Sequence, residues 1–168
     1  MTPALERQFE QFVLARHQAL RRLAFLLCGD WHTAEDLVQA AFAKLFSVWP
    51  RVHRTGGVEA YARRVLVHAF IDTRRKRSSQ ELPSDQIPEP SAHVDADGAR
   101  RLALLAALAQ VTPVYRAALV LRYWEDLSVE ETAALLGKSS ASVRSATTRG
   151  LEQLRRILGD SVYDIAHS

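Results

Sequence analysis

The sequence predicts an all-α protein: two small helical domains joined by an extended acidic linker, the second domain containing a helix-turn-helix. Three observations predict it. Apolar residues recur at helical spacing through both ends of the chain, and glycine is scarce, 7 among 168 residues. Charge is segregated: residues 1–77 hold 13 Lys/Arg and 7 Asp/Glu, residues 78–97 hold 5 acidic residues and no basic one, and residues 98–168 hold 9 basic and 7 acidic. The acidic stretch, "SSQELPSDQIPEPSAHVDAD", carries Pro83, Pro88 and Pro90, half of the chain's 6 prolines, with almost nothing able to build a core. The domains are therefore 1–77 and 98–168, with 78–97 as linker.

Bulk composition narrows the function classes. Hydrophobic content of 48% with 24% charged residues is that of a globular chain. The single Cys28 excludes an internal disulfide and a Cys-based zinc site. His17, His32, His53, His93 and His167 are too scattered to suggest a metal, so no cofactor is expected. The start "MTPALERQFEQF" lacks an apolar signal core, and no run reaches the length of a membrane span, so a reducing cytoplasmic setting is expected. No nucleophile–base set, paired catalytic carboxylates or Gly-rich phosphate loop stands out, which argues against an enzyme. Two basic lobes suggest a polyanionic partner rather than a small-molecule substrate.

In the first domain, Leu5, Phe9, Phe12, Val13, Leu20, Leu23, Ala24 and Leu27 mark one helix ending near Gly29. The next runs from Trp31 to Val48 and should stop before Pro50. A third spans Val58 to Lys76, with Val58, Tyr61, Ala62, Val65, Leu66 and Ala69 expected to face inward. The second domain opens with a helix from Ala99 to Leu108. Another follows the pair Thr112-Pro113, a cap and a proline at the first helical position, and runs to Trp124. Ser128 and Glu131 have capping-box spacing and begin a short helix that ends at Gly137. The last helix starts near Ser139 or Ser140 and reaches Leu158.

Gly137 can take the left-handed backbone that stops one helix and redirects the chain into the next. Ala133, Leu135 and Leu136 pack inward before it; Val143, Leu151 and Leu154 do so after it. That is the layout of a helix-turn-helix, whose second helix enters the DNA major groove. Ser142, Arg144, Ser145, Thr148 and Arg149 fall on its exposed face, with side chains suited to base edges or phosphates. An ordinary helical hairpin with a solvated Ser/Thr/Arg face has the same pattern, although the uncharged start "SSASV" lacks the acidic residues that favour a solvent-only first turn.

Three segments in order carry a family resemblance. "RAALVLRYWEDLSVEETAALLGKSSASVRSATTRGLEQLR", Arg116 to Arg155, resembles the fourth-region domain of bacterial sigma factors, most closely the extracytoplasmic-function group of the sigma-70 family. "AEDLVQAAFAKLF", Ala34 to Phe46, resembles that group's core-polymerase-binding helix, and "EAYARRVLVHAFIDTRRKR", Glu59 to Arg77, its −10 element reader. The order and spacing hold across roughly Leu5 to Leu158. The resemblance implies a factor that binds core RNA polymerase, recognises a two-part promoter and helps melt it, with an anti-sigma protein as a common partner.

Residue by residue, the resemblance implies polymerase contacts at Asp36, Gln39, Phe42 and Ala43. Asp36, Gln39 and Ala43 line a narrow face between two apolar stripes, Leu37/Ala41/Leu45/Val48 and Val38/Phe42/Phe46/Trp49. One departure is Ala40, where family members usually carry an acidic residue. Arg63, Arg64, Val67, His68, Arg74 and Arg75 are implied for the −10 element, and Ser142, Arg144, Ser145, Thr148 and Arg149 for the −35 element. His68 stands where many members have asparagine, beside a base flipped from the opening duplex. Capturing an extruded base offsets unstacking without fuel. The linker of twenty residues could reach about 66 Å at full extension, against roughly 55 Å between promoter elements. Two other readings remain on the residues alone: a helix-turn-helix repressor or activator without a polymerase-docking helix, and a helical scaffold whose basic residues are merely solvated.

Overall fold

The chain divides into two compact units, Met1–Ser79 and Gln80–Ser168. The computed structural model describes residues 1–78 and 96–159, and every regular element among them is helical. The linker expectation over 79–95, the side chain of Arg75 and the tail from residue 160 lie outside the described residues.

The first unit holds α1 (Pro3–Cys28), α2 (Trp31–Val52) and α3 (Val58–Ser78). The Thr2 hydroxyl accepts from the Leu5 amide at 3.2 Å, and Pro3 takes the first helical position, where its missing N–H costs nothing. Gly29, at φ 77, ends α1; Asp30 then caps α2, accepting from the amides of His32 and Thr33 and from the Thr33 hydroxyl. Two helices are thus joined through two residues. Leu23, Ala24 and Leu27 of α1, Val38, Ala41 and Leu45 of α2, and Ala62, Leu66 and Phe70 of α3 form a core that solvent barely reaches.

Two expectations are corrected here. α2 does not stop before Pro50 but continues to Val52. Proline removes the amide that would bond the Phe46 carbonyl, a group on an exposed residue. Meanwhile the Trp49 side chain is buried against Phe9 and Phe12, with ring centroids 5.3 and 5.7 Å away, and holds the helix in place. On α3, Ala62 and Leu66 face inward as expected, but Val67, Phe70 and Ile71 complete the buried face. Val58, Tyr61, Val65 and Ala69 are only half-buried.

The second unit holds α4 (Ala96–Leu108), α5 (Pro113–Tyr123), α6 (Val129–Leu136) and α7 (Ser140–Leu158). α4 begins at Ala96, inside the last two positions assigned to the linker. Arg116 is buried, and its guanidinium donates to the carbonyls of Ala109 and Val111 at 2.8 and 2.7 Å, tying the α4–α5 turn to α5. These carbonyls follow the end of α4, where helical acceptors run out of amides. Thr112 makes no side-chain cap on α5; its amide donates to Gln153 Oε1 at 2.9 Å, and its hydroxyl accepts from Gln153 Nε2 at 3.0 Å. The start of α5 is thereby fastened to α7.

Candidate nucleic-acid interface and docking face

The turn between α6 and α7 is built from local signals. Ser128 and Glu131 form a reciprocal capping box at 3.0 and 3.2 Å, Gly137 takes φ 67, and the Ser139 hydroxyl accepts from the Ser142 amide at 3.0 Å to start α7. Ala133, Leu135 and Leu136 are buried on α6; Val143, Ala146, Gly150 and Leu154 are buried on α7. Leu151 is half-buried.

The structure brings all five α7 candidates to one exposed side. Ser142, Arg144, Ser145, Thr148 and Arg149 are each exposed. Three of them have side chains with partners. Arg144 Nη2 lies 3.9 Å from Glu130 Oε1, and Arg149 Nη1 donates to the Tyr115 hydroxyl at 3.2 Å, which raises the Arg149 pKa. The Thr148 hydroxyl donates to the Arg144 carbonyl at 3.0 Å, leaving its lone pairs outward. Nothing local in the sequence marks Tyr115 as a partner of Arg149, because the two lie 34 positions apart.

On α2, Asp36, Gln39 and Ala43 are exposed along one strip of a helix whose other faces are largely covered. Phe42 is not on that strip: it is 6% exposed, and its ring packs in the bundle. Gln39 Nε2 donates to Glu35 Oε1 at 3.0 Å, and the same carboxylate meets His17 Nε2 at 3.0 Å and Arg21 Nε at 3.1 Å. These partners hold the Glu35 pKa below its usual value, the Gln39 bond first. Asp36 lies 4.0 Å from His32 Nε2.

The α3 candidates separate. Arg64 is exposed and His68 is half-buried. Val67 is fully buried in the bundle. Arg63 is engaged by Glu59, which also pairs with Arg16 of α1, so part of its charge is already answered within the unit. Arg74 reaches back to the Cys28 carbonyl at 3.5 Å. There it supplies a cation to the negative end of α1, whose own last turn has none. Among the described residues, no group of three or more His, Cys, Asp or Glu converges as a metal site, and no helix is long and apolar enough to cross a membrane.

Fold and site together define a class: an all-helical protein carrying a helix-turn-helix whose second helix exposes Ser, Thr and Arg side chains. Comparison narrows it further. The family "Sigma-70 region 2" matches residues 12–80, and "Sigma-70, region 4" matches residues 101–154. The RNA polymerase sigma-E factor of Streptomyces coelicolor is 38% identical over 152 residues, covering 90% of this chain and 86% of that one. The ECF RNA polymerase sigma factor SigE of Mycolicibacterium smegmatis is 33% identical over 169 residues, covering 95% and 65%. The sigma factor RpoE of Bartonella quintana, solved in complex with the anti-sigma factor NepR, shares the fold with a TM-score of 0.72 at 23% identity, over 92% of this chain and 98% of that one. The chain belongs to the extracytoplasmic-function group of the sigma-70 family, the transcription initiation factors of RNA polymerase.

Proposed function

We propose that the chain docks on core RNA polymerase through the exposed strip of α2, reads the −35 element with α7, and reads and opens the −10 element with the exposed side of α3. The observation that carries this is the division of α7: Val143, Ala146, Gly150 and Leu154 are buried, and the polar and basic residues between them are exposed. Such a helix offers Ser, Thr and Arg donors to a groove while its apolar side anchors it. On α2, Asp36, Gln39 and Ala43 supply a polar, small-residue face that a partner helix can approach. On α3, Arg64 supplies a phosphate contact and His68 a ring that can hydrogen-bond or stack on an extruded base.

The free energy for opening comes from binding the displaced base, not from bond chemistry, so the chain acts without catalysing a reaction of its own. A cytoplasmic location is part of this reading, because RNA polymerase works there. An anti-sigma factor as a further partner rests on the RpoE–NepR complex.

Gel filtration of the purified chain with core RNA polymerase tests the docking face. The wild type is expected to co-elute with the polymerase, and a variant carrying Asp36→Arg and Gln39→Ala to elute separately while remaining helical. Co-elution of the variant at wild-type stoichiometry and salt resistance would remove α2 from the interface.

A further inference from the structure

Arg149 is exposed, yet its guanidinium is held. Nη1 donates to the Tyr115 hydroxyl at 3.2 Å across the α5–α7 junction. A guanidinium has no acceptor, so the phenol oxygen accepts, and the other guanidinium donors and the phenol's own proton remain for an outside partner. The meeting depends on the next residue, Gly150: a methyl group there would stand 3.3 Å from the Tyr115 carbonyl oxygen and 2.9 Å from Leu119 Cδ1. Close approach of the two helices at glycine is what puts the Tyr115 ring within reach of Arg149. The paired Thr112–Gln153 hydrogen bonds fasten the start of α5 to the next turn of α7. Arg149 also falls in register with Ser142 and Ser145, on one face of α7.

We infer that Tyr115 is a positioning residue for promoter recognition: its hydroxyl fixes the Arg149 guanidinium on the DNA-facing side of α7. An arginine already ordered in the free protein loses less rotamer freedom when it meets DNA, which favours both affinity and a single contact geometry. The inference rests on α7 being the −35 reader.

The test uses the full chain assembled with core RNA polymerase. Its probe is a promoter duplex recovered by transcription-based selection with the wild-type protein from a library randomised across the −35 region. Binding is compared for the wild type, Tyr115→Phe, Arg149→Ala and the double variant. Tyr115→Phe is expected to bind roughly 3- to 10-fold more weakly, with an unchanged thermal midpoint. Arg149→Ala is expected to lose at least as much, and the double variant no more than Arg149→Ala alone, because the hydroxyl acts through the guanidinium. Additive losses, or wild-type binding by Tyr115→Phe beside a weakened Arg149→Ala, would overturn the inference. Wild-type binding by Arg149→Ala would instead remove Arg149 from the DNA contacts, and the role of Tyr115 with it.

Discussion

Gly150 of α7 rests on Leu119 of α5 so closely that a methyl group at Gly150 would stand 2.9 Å from Leu119 Cδ1 and 3.0 Å from its Cγ. Leu119 is itself 1% exposed, enclosed in the core. The glycine costs α7 helix propensity but sets the spacing at which the recognition helix packs on its support.

Gly150→Ala therefore opposes two effects. Alanine gains about 1 kcal/mol of helix propensity, whereas overpacking a core contact costs about 1–3 kcal/mol. The second wins because the Tyr115 backbone also lies 3.3 Å away and cannot rotate aside. Thermal unfolding of the second unit is expected to show a lower midpoint, with a net loss of about 1 kcal/mol. An unchanged or raised midpoint would show that the helices can part without cost.

Thr132 predicts the opposite sign. It is fully buried on α6, and its hydroxyl has no hydrogen-bond partner among the described residues. An unpaired buried hydroxyl costs about 1–3 kcal/mol, and valine replaces it with a methyl of the same shape and β-branching. Thr132→Val is expected to raise the midpoint of the second unit by roughly 1 kcal/mol of stability. A lower midpoint would mean that the hydroxyl is satisfied.

Asp30 gives a pH signature to the first unit. Its pKa is lowered, first by the Thr33 hydroxyl and then by the Thr33 amide. A carboxyl with a folded pKa below its unfolded value stabilises the fold above about pH 4, and that contribution is lost as pH falls through the folded value. Asp30→Ala is expected to cost about 1 kcal/mol near neutral pH, the usual worth of an N-cap. The gap between variant and wild type should narrow in urea titrations near pH 3. A gap that persists there would assign the loss to packing rather than to the charged cap.

Much of the fold is written in local chemistry. Gly29, Gly137, the Thr112-Pro113 pair and the Ser128/Glu131 box mark helix ends where the structure has them, because each satisfies or removes backbone groups within a few residues. Pro50 misleads because Trp49, buried by neighbours far along the chain, overrides the proline's local preference. The inward face of α3 is ambiguous for a related reason: two apolar stripes run along it, and only packing against α1 and α2 selects Leu66, Val67, Phe70 and Ile71.

The α7 face is legible because its buried and exposed residues alternate with the helical period. The role of Arg74 is not, since its partner, the Cys28 carbonyl, comes within reach only once α1 and α3 pack; Glu59 lies four residues before Arg63 on the same helix, and packing adds only Arg16 of α1 to that carboxylate. Burial of Phe42 and Val67 is likewise decided by neighbouring helices rather than by their own segments.

Promoter recognition by both units can be read from transcription of a closed duplex. Core RNA polymerase would be mixed with the wild-type chain and a library of double-stranded genomic fragments, and transcript starts mapped. Starts are expected to cluster downstream of a shared two-part sequence and to be lost when Ser142, Arg144 and Arg149 are all replaced by alanine. Starts no more frequent or specific than those of core polymerase alone, with a folded chain present, would contradict it.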